Sequence, residues 1–535
     1  MKSEKPFYQL LIQLTAAFLF LSALLNLNYP AGRFFSPQLL LPSVDVWLLL
    51  IPLALAAWAG GRLLFWTGLP LWVFFLVLRL FRIADTTVPM YLNRPFNLAI
   101  DSGYLFDLYD LLKTSARQGE FLLQSVNIAV VALGVVISSW YAWRAATRAL
   151  LAHRVRLSFL LVSGVLLGAG HLCQLPPTQP PVMVRFGREL LSVPRQRAQQ
   201  RAVLARIETT ARDRKIHASP DKGLEGLRGA DVLLFMVESY GHIVFNRPSY
   251  QPAMEATMAG FAEILEEHGF MAVSSYLTSP TYGGASWLAH STLEFGVRVE
   301  NDLEEKALLR STLPPLAAYF HRSGYRTVSV MPGTRFSYPE GAVFGYNRFY
   351  YAWDFGYQGP TFGWAPMSDQ FVLDWVRRRE LAERRQPLFI RYVLISSHAA
   401  FSIQPPFLAD WREIGDGSIY HDRQLVYYPI HWPNLHNAGG AYLRSLDYEF
   451  TILGDYLAKF VDTDTLIIIM GDHQPNLQLT GKGEPWSVPV HVISRNPRLL
   501  EPFQKRSYTS GLIPAQPLPH AGMETFLPNF LLDFR

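Results

Sequence analysis

The sequence predicts an N-terminal all-α domain of five transmembrane helices, followed by an extracytoplasmic α/β domain. Two observations predict this organisation. Half of the 535 residues are hydrophobic, which is high for a soluble enzyme, and the long apolar segments all lie before residue 175. From residue 230 onward, short apolar runs alternate with segments of helical periodicity, as expected for a sheet covered by helices on both faces.

The membrane domain is predicted from five apolar segments, each close to the roughly 20 residues that cross a bilayer. The first is longer than the apolar core of a signal peptide and lacks a convincing small-residue cleavage site, so we predict that it is retained as an anchor. The five segments are residues 7–27, 41–59, 63–81, 121–143 and 157–173.

The orientation follows from the loop at residues 144–156, which carries four arginines and no acidic residue. By the positive-inside rule this loop is cytoplasmic, so everything after Cys173 lies outside. Because Cys173 is the only cysteine, the exported part has no disulfide, which fits a bacterial periplasm or cell surface. We therefore predict a multi-pass protein of the bacterial cytoplasmic membrane.

Domain boundaries are predicted where the composition changes. Residues 1–175 form the transmembrane domain, residues 176–229 a basic interfacial linker, and residues 230–535 the catalytic domain. Residues 185–215 of the linker have nine Lys and Arg against three acidic residues, so this segment either lies on anionic lipid headgroups or forms a solvated helix. Aromatic stacking motifs do not accompany these charges, which argues against nucleic acid as a partner.

The elements of the α/β domain are predicted from apolar periodicity. Continuous apolar runs indicate buried strands, and apolar residues at three and four spacing indicate helices. The predicted strands are residues 231–237, 270–276, 327–330, 388–395, 465–470 and 488–494; the predicted helices are residues 253–268, 313–322, 369–382 and 442–460, with a C-terminal helix or coil.

Polar side chains stand where these strands end. Glu238 directly follows the strand at 231–237, and the pair Asp472 and His473 follows the strand at 465–470. Between them, a Gly-rich turn presents Ser286 at the predicted start of a helix. Because open α/β sheets bind ligands at the carboxyl ends of strands, and carboxylate and imidazole groups bind metals, this set predicts a metal-activated serine.

The same residues carry a family resemblance. The ordered motifs Val237-Glu238-Ser239, Gly284-Ala285-Ser286, Ser397-His398 and Gly471-Asp472-His473 resemble the alkaline phosphatase and sulfatase superfamily. Within it, the five-span N-terminus is similar to the membrane-anchored lipoteichoic acid synthase and phosphoglycerol transferase group. The resemblance covers nearly the whole chain and implies a sulfatase-like, alkaline-phosphatase-like fold for the catalytic domain.

The resemblance implies a role for each site residue. Glu238, Ser286, Asp472 and His473 would hold one divalent cation, and oxygen and imidazole ligands suit manganese, zinc and magnesium alike. The cation would lower the pKa of Ser286, the nucleophile; the family normally has threonine there. His398 would contact the substrate phosphate or protonate the leaving group.

Each of these residues also has a structural interpretation. Glu238 alternatively pairs with a surface arginine, and Ser286 caps a helix as a turn serine. Asp472 alternatively caps a turn, and His398 is alternatively a structural histidine at a strand end. The predicted site requires all of them to meet at one edge of the sheet.

Substrate recognition is less defined by the sequence. Where the resembling transferases have a Trp and an Arg for glycerophosphate, this chain offers Arg335, Tyr338 and Glu340. His290, four residues after Ser286 on the predicted helix, is a further candidate that could face the site. The Cys/Ser-x-Pro-x-Arg setting needed for formylglycine is absent, so sulfate-ester hydrolysis is disfavoured.

The sequence thus predicts a transferase that moves a phospholipid head group, with glycerol phosphate favoured, to an extracytoplasmic glycan or lipid. Ser286 would attack the phosphodiester and form a phospho-serine intermediate, which the acceptor hydroxyl resolves. The alternatives are a phosphoethanolamine transferase, a phosphodiesterase of the same superfamily, and a catalytically silent envelope subunit.

Overall fold

The computed structural model describes residues 6–27, 41–59, 61–101, 120–173, 181–217, 223–335, 338–382, 385–430, 435–461 and 464–535. The chain forms two compact units. The first comprises Met1–Pro89, Arg94–Ser102 and Gln118–Gln196, and the second comprises Met90–Asn93, Gly103–Arg117 and Arg197–Arg535.

All five segments predicted to cross the membrane are helical. The helices are Phe7–Asn26, Val44–Ala59, Gly61–Leu92, Glu120–Leu150 and His153–Cys173. Three of them exceed the predicted spans, because the helix continues through the polar residues beside the apolar run. A further short helix, Leu98–Asp101, lies in the first unit, and the long helix Val182–His217 begins in the first unit and ends in the second. Val182–His217 lies within the segment predicted to be a basic linker.

Three helices are long and apolar enough to cross a membrane, namely Phe7–Asn26, Trp66–Leu92 and Ser125–Leu150 in the described part of the chain. Only 6% of the most apolar window of Ser125–Leu150 is buried. Its Val131 side chain is 66% exposed. Exposed hydrocarbon of this kind is typical of a helix that faces lipid. The predicted count of five spans stays a prediction.

The second unit contains an eight-stranded sheet and a two-stranded ribbon. The strands are β1 Asp231–Val237, β2 Met271–Thr278, β3 Arg326–Met331, β4 Arg348–Tyr351, β5 Leu388–Leu394, β6 Ile403–Gln404, β7 Val426–Tyr427, β8 Thr465–Gly471, β9 Ser487–Ser494 and β10 Thr509–Ser510. The α-helices are Ile243–Asn246, Gln251–Glu267, Ser286–Phe295, Asp302–Leu309, Leu316–Arg322, Asp369–Val376, Gly439–Phe460, Leu477–Thr480, Glu501–Lys505 and Phe526–Asp533.

The large sheet has the order β10-β2-β9-β8-β1-β5-β3-β4. β1 lies at its centre and pairs in parallel with β8 and β5, whereas β9 runs antiparallel to β8 and β2. Alternate side chains of β1 enter different hydrophobic cores: Phe235 lies in one, and Leu234 in the other. Both faces of the sheet are therefore covered, as the alternation of apolar runs predicts.

Each predicted strand of this unit is present, with ends that differ by at most two residues. The predicted helix at 369–382 divides into the α-helix Asp369–Val376 and a π-helical turn, Arg377–Leu381. The edge strands β4 and β10 have no counterpart in the prediction. Both are short and partly exposed, so their sequences lack the continuous apolar run that marks a buried strand.

Candidate active site

The parallel pairing of β1 and β8 brings Glu238 and Asp472 together. Val237 and Gly471 are register partners, so the residues that follow them leave the sheet side by side. Gly471 is required here, because a Cβ at this position would lie 1.8 Å from the carbonyl oxygen of Tyr240. Ligand atoms of Glu238, Asp472 and His473 consequently lie within 4.8 Å of one another, and all three residues are buried.

The Gly-rich turn carries Ser286 to the same place. The backbone N–H of Gly283 donates to the carbonyl of Gln474 at 2.9 Å, and the Ser279 hydroxyl donates to the carbonyl of Asp472 at 2.6 Å. Ala285 has a φ of 61°, a conformation that costs a non-glycine residue free energy and that persists only where its surroundings fix it. Ser286 then begins the helix Ser286–Phe295.

Ser286 is the hydroxyl at the centre of the cluster. Its Oγ donates to Glu238 Oε2 at 3.0 Å and lies 3.2 Å from His473 Nε2. The side chain is only half-buried, so a substrate can reach it. The structure therefore brings together the four residues that the sequence predicts as ligands and nucleophile.

Ser239 holds the two carboxylates in place. Its backbone N–H donates to Asp472 Oδ1 at 2.8 Å, and its hydroxyl donates to Glu238 Oε1 at 2.9 Å. Ser239 has a φ of 59°, and in this conformation its backbone N–H and its hydroxyl contact different carboxylates. The sequence motif contains Ser239, but nothing in the motif indicates that it contacts both carboxylates.

The donor set fits a cation. The Nδ1–H of His473 donates to the carbonyl of Gln474 at 2.7 Å, so its Nε2 lone pair faces Glu238 Oε1 at 3.4 Å and Asp472 Oδ2 at 3.6 Å. These facing atoms are all acceptors, and they repel one another unless a cation or protons lie between them. Residues Glu238, Asp472 and His473 would hold such a cation, with Ser286 beside it.

The pKa shifts have the same electrostatic origin. Burial, and then the neighbouring Glu238, raise the pKa of Asp472 to about 6. Burial lowers the pKa of His473, but the charges of Asp472 and Glu238 raise it, and the net direction is upward. The cluster thus carries an excess of negative charge, which a divalent cation would neutralise.

His398 lies on the neighbouring strand end, after β5. Its ring stacks on Trp364 with centroids 3.8 Å apart and an interplanar angle of 14°. Its Nδ1–H donates to the carbonyl of Ala399 at 2.6 Å. Burial lowers the pKa of His398 to about 4, against the raising effect of that hydrogen bond. The ring is therefore neutral at physiological pH, with a lone pair on Nε2.

Arg335 and His398 both contact Trp364. The Arg335 guanidinium donates to the carbonyl of Trp364 and lies 5.8 Å from the centroid of its ring. Trp364 belongs to no motif that the sequence offers, so its contact with His398 is visible only in three dimensions. The Arg335 guanidinium and the His398 ring thus lie on the same indole, and the electrostatic influence of Asp472 and His473 reaches His398.

The other predicted substrate residues are placed differently. Tyr338 lies beside Phe344, with ring centroids 6.4 Å apart. Glu340 lies in the 3-10 turn Pro339–Phe344, and its side chain lies outside the described residues. His290 is buried below the site, and its Nε2 has no hydrogen-bond partner in the part of the chain that the structure describes. Burial, and then Arg391, lower its pKa to about 3.

A buried carboxyl pair supports the turn that carries His398. Asp369 Oδ2 accepts from the backbone N–H of Ile395 at 2.7 Å and of Ser396 at 2.5 Å. Asp369 and Glu449 are 0% exposed, and each influences the pKa of the other. Two ionised carboxylates at zero exposure would repel strongly, so one carboxyl group of the pair keeps a proton, and Glu449 is the group that carries it.

We expect Glu449→Gln to be tolerated, because the glutamine amide is neutral and close in size to a protonated carboxyl group. Burial, and then Asp369, raise the pKa of Glu449 well above its ordinary value. The folded protein thus keeps a proton that the unfolded chain loses, so the free energy of unfolding falls as pH rises above that ordinary value. The measurement is the free energy of unfolding of the full chain between about pH 5 and pH 8. It should fall with rising pH in the wild type, and it should fall less in Glu449→Gln. Equal slopes of unfolding free energy against pH in the two proteins would contradict a proton held by Glu449.

Comparison with known proteins agrees with the fold. The Sulfatase family model matches residues 251–496. The matched region contains Ser286, His398, Asp472 and His473, and it begins after Glu238. The match to this part of the chain supports the superfamily that the sequence motifs predict. No curated protein matches the chain.

Solved structures with partial similarity to this chain include three from bacteria. Lipoteichoic acid synthase LtaP from Listeria monocytogenes is 13% identical, with a TM-score of 0.37 over 56% of this chain and 70% of that chain. The C-terminal periplasmic domain of EcEptC from Escherichia coli is 12% identical, with a TM-score of 0.37 over 56% and 80%. Streptococcus pyogenes phosphoglycerol transferase GacH, in complex with sn-glycerol-1-phosphate, is 12% identical, with a TM-score of 0.35 over 62% and 91%.

Proposed function

We propose that the chain is a membrane-anchored, metal-dependent phosphotransferase, a proposal supported by the match of the Sulfatase family model to residues 251–496. In this proposal it belongs to the lipoteichoic acid synthase and phosphoglycerol transferase group. It moves a phospholipid head group to an extracytoplasmic glycan or lipid. The observation that carries the proposal is the contact of the Ser286 hydroxyl with Glu238 and His473 beside a second buried carboxylate, Asp472.

The first half-reaction uses Ser286 as nucleophile. Its Oγ forms a bond to the phosphorus of the donor phosphodiester, and the bond from phosphorus to the diacylglycerol oxygen breaks. Glu238 and His473 orient the hydroxyl for this attack through the contacts at 3.0 Å and 3.2 Å. A divalent cation held by these residues would lower the pKa of the hydroxyl and neutralise charge on the phosphate oxygens.

His398 is proposed to act as general base and then as general acid in the first half-reaction. Its neutral ring presents a lone pair on Nε2, because Nδ1–H is held by the Ala399 carbonyl. In this role Nε2 accepts the proton that Ser286 loses and then gives it to the departing diacylglycerol oxygen. The stacking on Trp364 fixes the ring plane for that transfer.

The second half-reaction regenerates the enzyme. A hydroxyl of the acceptor attacks phosphorus, the bond from phosphorus to Ser286 Oγ breaks, and the proton of the acceptor hydroxyl returns to Ser286 through His398. The head group then resides on the acceptor. Such a double displacement replaces one difficult transfer with two easier ones.

The membrane helices support a lipid donor. The donor phosphate lies at the bilayer surface, and a tethered active site meets it at a high effective concentration. The predicted orientation places the catalytic domain on the periplasmic or extracellular side of the bacterial cytoplasmic membrane, where an acceptor glycan or lipid is available.

We expect faster release of diacylglycerol from phosphatidylglycerol than from phosphatidylethanolamine. A glycerophosphate presents neutral hydroxyls, whereas an ammonium head group needs a free carboxylate. Glu340 is the candidate carboxylate, and Arg335, five residues before it in the sequence, reduces its negative potential. The measurement gives each lipid separately to the full chain in bilayers. Preference for phosphatidylethanolamine that is lost in Glu340→Gln would instead assign a phosphoethanolamine transferase.

Mass spectrometry tests the proposed function directly. The full chain, incubated with mixed phospholipids, should carry one added head-group mass on Ser286, and that mass names the donor. Products are then analysed with and without an acceptor, because a phosphodiesterase releases the head group to water in either case. A chain that binds no metal and forms no adduct would be a silent envelope subunit, which would overturn the proposal.

A further inference from the structure

Several charged side chains interact inside the first unit of the chain, which contains the predicted spans and is the membrane unit. Asp45 is 4% exposed, Asp85 5%, Arg79 6% and Arg82 9%. Arg82 interacts electrostatically with Asp85, Asp45 and Arg185, and Arg79 interacts with Arg82. Charges buried within an apolar helix bundle are costly, so each needs a partner or a function.

Both carboxylates of this cluster already have partners. Asp45 Oδ2 accepts from the backbone N–H of Val182 at 3.0 Å, and Oδ1 accepts from that of Met183 at 2.8 Å. Asp45 thereby holds the N-terminus of the helix Val182–His217. Asp85 forms an ion pair with Arg185 on the first turns of that helix.

The cluster has one positive charge in excess, since three guanidinium groups face two carboxylates. Arg79 Nη1 is buried and has no hydrogen-bond partner among the residues that the structure describes. The unused donor needs a hydrogen-bond acceptor, and the excess of one positive charge favours an acceptor with a single negative charge. A phosphodiester has that charge, and its oxygens match the arginine fork.

The surroundings favour a phosphodiester with acyl chains. On the same helix, Leu80 is 67% exposed and Ile83 is 36% exposed, so hydrocarbon surface flanks Arg79 along the helix. Phe81 contacts Phe186 edge to face at 5.3 Å, which keeps the cluster beside apolar rings. A soluble phosphate would gain nothing from these neighbours, whereas a lipid would.

We propose that Arg79 and Arg82 bind the phosphodiester of a phospholipid at the end of the membrane unit where the helix Val182–His217 begins. In the predicted orientation this end faces the outer leaflet. The inference rests on the proposed function in one respect: the phospholipid donor of that reaction is one lipid that would bind at this site. A chain with another activity would still bind lipid here.

The test measures lipid binding without turnover. Full-length Ser286→Ala protein is equilibrated with phosphatidylglycerol, with diacylglycerol and with soluble glycerol phosphate, and bound lipid is counted by native mass spectrometry. We expect retention of phosphatidylglycerol only, reduced about tenfold by Arg79→Gln. Arg148→Gln is the matched control, because Arg148 is an exposed arginine on a different helix, and it should leave retention unchanged.

Each outcome decides the proposal. Unchanged retention in Arg79→Gln would overturn it, and so would competition by soluble glycerol phosphate, which would indicate a site for a free anion. Arg79→Lys keeps the charge but not the fork and should restore part of the retention, which separates loss of binding from loss of folding. Failure of the proposed function appears elsewhere, as absence of the Ser286 adduct in the wild type.

Discussion

Ser286→Ala is expected to abolish head-group transfer while the protein stays folded. The Ser286 hydroxyl is half-buried and contacts Glu238 and His473, so its removal deletes the nucleophile with little loss of packing. Loss of a nucleophile costs at least about a thousandfold in turnover. Diacylglycerol release from phosphatidylglycerol in bilayers measures the effect.

The matched control is Ser286→Thr. Threonine keeps the hydroxyl, and the family resemblance indicates that threonine serves at this position. We therefore expect Ser286→Thr to retain turnover and the covalent head-group adduct. If Ser286→Ala kept more than about a tenth of the wild-type rate, a phospho-serine intermediate would be the wrong mechanism.

Much of the catalytic domain could be predicted because its central strands are buried on both faces. β1 and β8 consist of seven buried residues each, and such runs leave a continuous apolar signature in the sequence. The polar residue that ends each run then marks the edge of the sheet. Parallel pairing of the two strands, which the sequence does not specify, places Glu238 beside Asp472.

The supporting residues could not be predicted, because they lie far apart in the chain. Asp369 and Glu449 are separated by 80 positions, and each stands on a helix where a carboxylate normally faces water. Trp364 stands in a loop and stacks on His398 only after folding. Such contacts depend on tertiary packing, and no local pattern encodes them.

The membrane unit illustrates the same limit. The apolar run at residues 63–81 predicts a span, but the helix continues to Leu92, because Arg82 and Asp85 lie inside the bundle and not in a loop. In the sequence, charged residues after an apolar run predict the end of a membrane span. Their burial, and the ion pair of Asp85 with Arg185, make them part of the helix packing.

Asp472→Asn is expected to remove the bound cation without unfolding the protein. Asp472 Oδ1 accepts from the backbone N–H of Ser239 at 2.8 Å and of His473 at 2.7 Å, and the asparagine oxygen can keep both hydrogen bonds. The amide group that replaces Oδ2 is a poor metal ligand and carries no charge.

The cluster then lacks one of the two carboxylates that stabilise a divalent cation. Changes to residues that only orient metal ligands cost about ten- to a hundredfold in affinity, so loss of a ligand should exceed about a hundredfold. Elemental analysis of purified full-length protein should find a metal in the wild type and almost none in Asp472→Asn. Asp447→Asn serves as control, because Asp447 is exposed. In the described contacts its carboxylate accepts from the Thr257 hydroxyl and not from the cluster. A full metal complement in Asp472→Asn would mean that the cation is held elsewhere, and the proposed chemistry at Ser286 would lose its basis.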